Sequence, residues 1–257
     1  MENFKIDNTQ WQICPDCFRK EVNNRYVASQ ITVEEENVYI TKSTQIKTVI
    51  EKVLFVFNNI MNYAPQEYEL KIGFTDTSPV TLYKMSNAAE ILLKISATTT
   101  EATIAYQFAH ELFHFSVRNH FYENYGLAFI QEIFSCLSSL TVLQELKYYK
   151  EYEHHLNNLV KNGQDYCGNN IKYANFNKND INNGQYGFYT FCAQELFSLT
   201  EKGILFWSTL LEMAFPMNLQ INDYNLFFQN WYNNVNLDEQ KEIVILIANK
   251  LDAKINS

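Results

Sequence analysis

At 257 residues the chain is long enough for one large domain or two small ones, each with a packed core. Hydrophobic residues make up 47% and aromatics 15%, which excludes a disordered chain. The net charge of -9 leaves no basic face for nucleic acid, so no nucleic-acid partner is expected.

The opening, "MENFKIDNTQWQICPDCF", has no basic stretch followed by an apolar run, so no signal peptide is expected. Five cysteines, an odd number without a regular framework, fit free thiols in a reducing cytoplasm. Cys14-Pro-Asp-Cys17 is the one local pair; two thiols in an N-terminal turn or helix explain it better than a zinc or redox site.

"NVYITKST" (37–44) reads as a short strand, and the apolar spacing after it predicts a helix over 44–64, ending near Pro65. "YELKIGFTD" (68–76) and "PVTLYKM" (79–85) alternate like strands around a Thr-Asp-Thr-Ser-Pro turn, and "AEILLKIS" (89–96) is a further strand. Thr98-Thr-Thr-Glu101 then forms a capping-box pattern and predicts a helix over 99–118.

Beyond residue 125 the patterns are helical, over 126–149, 189–214 and 237–253, the last opening at Asn236 with Glu239 three residues on. The Asn- and Gly-rich stretch at about 157–187 predicts a long loop. "YGLAFIQEIFSCLSSLTVL" is interrupted by Gln131, Glu132 and three serines, and reads as a buried helix rather than a membrane span. The fold class is therefore α+β: a small N-terminal sheet with a helix packed on it, followed by a mostly α-helical half. The division expected is an α+β subdomain at 1–118 and a helical subdomain at 119–257.

The helix over 99–118 carries the most specific pattern in the chain. His110-Glu111-Leu112-Phe113-His114 is H-E-x-x-H, in a protein with only five histidines. Residues four apart share a helix face, so His110 and His114 can grip one zinc ion while Glu111 reaches toward a water on it. That polar face continues through Gln107 and Thr103, opposite an apolar stripe of Ile104, Phe108, Leu112 and Phe115.

A catalytic zinc needs a third protein ligand. His120 falls where the pattern H-E-x-x-H-x-x-G-x-x-H places its last histidine, but the glycine position is Val117, whose branched side chain resists the positive φ of that turn. Glu132 is the stronger candidate. It is the only charged residue from Asn124 to Gln144, among Phe129, Ile130, Ile133, Phe134 and Leu137, and a carboxylate there calls for a positive partner.

"HELFH" followed after seventeen residues by the glutamate of "FIQEIFSCL" resembles the gluzincin clan of zinc metallopeptidases, the group containing thermolysin. The resemblance covers about residues 90–145. Gln131 stands where the clan usually has asparagine, and no Gly-x-Met-Glu-Asn exopeptidase motif is present. The resemblance implies Zn2+ as cofactor, a peptide or protein substrate, and Glu111 as the general base for a zinc-activated water. It also implies a donor for the oxyanion, for which Tyr186 and Tyr189 are candidates, with His154 and His155 as alternatives. In such enzymes an edge strand lies along the cleft, and "EILLKIS" is either that edge or plain sheet core. Two other readings compete: a catalytically silent zinc- or peptide-binding regulatory module, and a helical interaction protein with an accidental motif.

Overall fold

The computed structural model describes residues 10–23, 25–60, 69–84, 88–116, 128–167, 186–211 and 224–256. The chain is α+β, a small N-terminal sheet followed by a helical C-terminal half. It divides into two compact units, Met1–Phe115 with Val142–Glu151, and Ser116–Thr141 with Tyr152–Ser257.

In the first unit, strands β1 (Gln10–Val22), β2 (Arg25–Ala28), β3 (Glu69–Thr75), β4 (Val80–Lys84) and β5 (Ala88–Leu93) form one sheet in the order β2-β1-β3-β5-β4. β1, β3 and β5 are parallel, while β2 and β4 pair antiparallel at the two ends. β5 is buried along its length from Ala89 to Leu93, as expected of an interior strand covered on both faces. "EILLKIS" thus begins in the sheet interior; among the described residues the edge beside it is β4. The one charge inside β5, Glu90, has a fully buried side chain and meets Arg19 of β1, with Nη2 at 2.7 Å and Nε donating at 2.8 Å. Both nitrogens meet the same oxygen, Oε2, and this charge-assisted contact offsets part of the cost of burying the carboxylate.

β1 and β2 are absent from the sequence expectation, which places Cys14 and Cys17 in a turn or helix. Both lie in β1, where pairing with β3 jumps from Ile13↔Ile72 to Phe18↔Phe74. This bulge absorbs Pro15, which has no N–H to give to a ladder. Cys14 is disulfide-bonded, which corrects the expectation of free thiols there; Cys136 and Cys192 are buried free thiols. The side chains of Cys17 and Cys167 lie outside the described residues.

Helix α1 (Val33–Ile60) includes residues 37–44, which are therefore not a strand. Its start is a capping box one helical turn further upstream: Glu35 N–H donates to Thr32 Oγ1 at 3.2 Å, and Thr32 N–H donates to Glu35 Oε2 at 2.9 Å. Those bonds to Thr32 hold the Glu35 carboxyl below its usual range. The buried face runs through Tyr39, Ile46, Val49, Ile50, Val53 and Phe57, and the Tyr39 ring stacks on Phe74 of β3 at 3.9 Å.

Helix α2 (Glu101–Ser116) starts two residues later than expected. Its cap is Thr100, whose Oγ1 accepts from Thr103 N–H at 3.1 Å, rather than Thr98. Glu101 instead accepts from the Tyr148 hydroxyl at 2.8 Å and pairs with Lys52 of α1 at 3.4 Å. The Tyr148 hydrogen bond, helped by Lys52, lowers the Glu101 carboxyl below its usual range, and burial with that same bond pushes Tyr148 up to about 12. A carboxyl whose folded pKa is depressed contributes stability above its unfolded value, near 4.3, that is lost as pH falls through the folded value. Glu101→Gln is therefore expected to flatten the fall of Tm between about pH 5 and pH 3. Thermal melts across that range check it; an unchanged slope contradicts it.

Helix α3 (Ala128–Glu145) ends earlier than the expected 149. Lys147 takes a left-handed conformation (φ 62°), its N–H reaches Gln144 O, and Tyr148 N–H reaches Leu143 O. That is a Schellman stop with lysine where glycine is usual. Helix α4 (Tyr149–Cys167) follows, so the first part of the expected 157–187 loop is helix; 168–185 lie outside the described residues. The expected 189–214 helix is instead α5 (Tyr186–Leu196), a 3-10 stretch (Phe197–Lys202) and α6 (Ile204–Leu211), parted at Gly203 with φ 58°.

Helices α7 (Tyr224–Asn234) and α8 (Asp238–Lys250) complete the second unit. The N-cap of α8 is Leu237 without a side-chain bond, not Asn236. The core of this unit is aromatic. Phe134 of α3 meets Phe206 at 6.1 Å and Trp231 at 6.3 Å, and the Tyr224 hydroxyl donates to Leu251 O at 2.6 Å. No described helix is long and apolar enough to cross a membrane.

Candidate metal centre

The register of α2 decides what its motif can do. Ile104, Ala105, Phe108, Ala109, Leu112, Phe113 and Phe115 are buried, leaving Gln107, His110 and His114 half-buried along one polar line. Gln107 fastens that line to the end of β5. Its Oε1 accepts from Lys94 N–H at 2.9 Å and its Nε2 donates to Lys94 O at 3.2 Å, so the amide continues the strand's own bonding.

One turn further on, the imidazoles of His110 and His114 stand edge to face, with ring centroids 5.0 Å apart. Their Nε2 atoms are 3.3 Å apart. Two nitrogens each about 2.0–2.1 Å from a tetrahedral zinc ion stand about 3.3 Å from each other, so the helix holds the pair at ligand spacing. Glu132, half-buried in the first turns of α3, adds a carboxylate. One ligand atom from each of His110, His114 and Glu132 lies within 4.8 Å of the others. Two imidazoles and a carboxylate are a donor set that suits zinc.

Glu111 is not part of this group. It is 5% exposed, and its Oε2 accepts from the Thr81 hydroxyl of β4 at 2.8 Å. The same hydroxyl lies 2.9 Å from the main-chain oxygen of Glu111. The glutamate of the motif is thus held by the edge strand.

The remaining expected site residues are placed as follows. Tyr189 is buried at 4% exposure on α5, edge-on to Phe188. The side chain of Tyr186 lies outside the described residues, as do Val117 and His120. His154 and His155 stand on α4 with rings 5.3 Å apart, and His154 Nε2 lies 3.1 Å from Asn158 Nδ2. Neither His154 nor His155 belongs to the His110–His114–Glu132 group.

Sequence reasoning missed Thr81. It lies thirty residues from Glu111, and no spacing rule connects a strand threonine to a helix motif that far along the chain. The signal that could have found it is the choice of edge strand, since β4, not β5, borders α2's acidic residue.

No family model, curated protein or solved structure matches the chain. The likeness to gluzincins therefore rests on the motif and on Glu132.

Proposed function

We propose that the chain is a zinc-dependent peptidase in which His110, His114 and Glu132 hold the ion and Glu111 is the general base. The observation that carries this reading is the convergence of two imidazoles and a carboxylate from separate helices, with a second carboxylate kept out of the ligand set. A purely structural zinc site has no use for that second carboxylate.

Bound zinc would supply Lewis-acid polarisation of a carbonyl and a lowered pKa for water. The chain's own residues supply the rest. His110 and His114 would fix the ion's place on a helix whose far side is packed in the core. Glu111 accepts the attacking water's proton and returns it to the leaving amine. β4 is a sheet edge among the described residues, and an extended peptide can add to such an edge through main-chain hydrogen bonds. Tyr189 is the described candidate for the oxyanion donor. The Cys14 disulfide removes the thiol argument for a reducing compartment.

The test is cleavage of an internally quenched peptide library by zinc-loaded protein. Hydrolysis is expected, abolished by a chelator and restored by zinc. Protein that binds zinc but cleaves none of the library is the regulatory binding module instead.

A further inference from the structure

The contact between β4 and the motif helix has a consequence for how Glu111 works. We propose that Thr81 is a positioning residue for Glu111: its hydroxyl fixes Oε2 and leaves Oε1 to meet the reacting water. The inference rests on the peptidase reading above.

A glutamate on a helix has three side-chain torsions, and few of its rotamers aim a carboxylate oxygen at one chosen point. A general base must nevertheless come within about 2.6–3.2 Å of the proton it removes. Thr81 meets that need from a rigid element. Its position is set by the ladder, where it faces Ile91 of β5, and β5 in turn is paired along its length with β3. The next residue, Leu82, faces Glu90, the carboxylate clamped by Arg19. The strand beneath Thr81 is therefore tied into the sheet interior, and the hydroxyl is a fixed point against which Glu111 is held.

The two distances describe how the hydroxyl is used. A threonine hydroxyl has one proton, so it donates either to Oε2 at 2.8 Å or to the main-chain oxygen at 2.9 Å, and not to both at once. Both acceptors belong to Glu111. The carboxylate is consequently folded back beside its own peptide oxygen, within reach of one strand atom, and only one of its two oxygens is engaged by Thr81. The proton taken from water goes to Oε1, and Oε2 keeps accepting from Thr81 before and after the transfer. Threonine suits the task because its branched Cβ restricts χ1 and favours a strand.

Side chains alternate across a strand, so Thr81 faces the helix while the main chain of β4 remains the part a peptide would pair with. Loss of the hydroxyl should then lower kcat and spare KM. The test compares zinc-loaded wild type, Thr81→Val and Thr81→Ser by initial rates on the internally quenched peptide library and by crystal structures of all three. Thr81→Val is expected to lower kcat about 10- to 100-fold with KM and zinc content unchanged, as small misplacements of catalytic groups do. Thr81→Ser should recover most of the rate. In the crystals the Glu111 carboxylate should leave residue 81 in the valine variant and return in the serine variant. If the valine variant does not fold, Thr81→Ala takes its place. A valine or alanine variant with wild-type kcat, or with the carboxylate unmoved, overturns the proposal. If wild type cleaves no peptide, the peptidase reading fails, while the crystal structures still decide whether Thr81 holds Glu111.

Discussion

Replacing Glu111 by glutamine is expected to lower peptide hydrolysis about 100- to 10,000-fold, the range that a positioned general base supplies. The amide has nearly the shape of the carboxylate, and its carbonyl oxygen can still accept from Thr81 at the present 2.8 Å position. Fold and zinc content should therefore match wild type, because Glu111 lies outside the His110–His114–Glu132 group. What the amide lacks is the ability to take a proton from water and return it to a leaving amine. Initial rates on a cleaved peptide, with zinc measured on the same sample, make the comparison. Near-wild-type turnover in Glu111→Gln would remove Glu111 from the chemistry.

Much of the fold was legible where one period dominates. The strands at 69–75, 80–84 and 88–93 alternate or run apolar, and their ends stand within one to three residues of where patterning puts them. The failures have separate physical causes. Residues 37–44 alternate like a strand, but the Thr32–Glu35 capping box commits them to α1, and only Tyr39 of that stretch is buried. The break after α3 is made by Lys147 in a left-handed conformation, a residue that carries no stop signal in sequence. Gly163 lies in the stretch that reads as loop, yet it sits in α4, where a Cβ would come within 3.1 Å of the Phe191 backbone. Here glycine marks close helix packing rather than a turn. β1 escaped notice because Pro15 and the cysteine pair interrupt its pattern at a bulge.

The candidate site was legible to the extent that it is local. The i, i+4 spacing puts His110 and His114 on one face of the helix, where their Nε2 atoms stand 3.3 Å apart. Glu132 could be singled out because it is the only charged residue from Asn124 to Gln144, an argument from solvation that spans any distance in sequence. Thr81 could not be found this way. A threonine in a strand is commonplace, and its role depends on which strand forms the sheet edge, a long-range pairing that local pattern does not specify.

Glu132→Ala is expected to weaken zinc binding by more than about 100-fold, beyond the 10- to 100-fold that loss of an outer hydrogen-bonding partner costs. The carboxylate oxygen is one of three ligand atoms lying within 4.8 Å of one another, and two imidazoles alone leave a tetrahedral ion with two positions to fill. The same reasoning predicts no change for His120→Ala, since Val117 resists the turn that would bring His120 back to the motif helix. Chelator competition on wild type, Glu132→Ala and His120→Ala therefore tests the three-ligand centre most directly. The account predicts about one zinc per chain in wild type, sharply weaker binding in Glu132→Ala and wild-type affinity in His120→Ala. Wild type that takes up no zinc, or a damaged His120→Ala beside an unaffected Glu132→Ala, would contradict it.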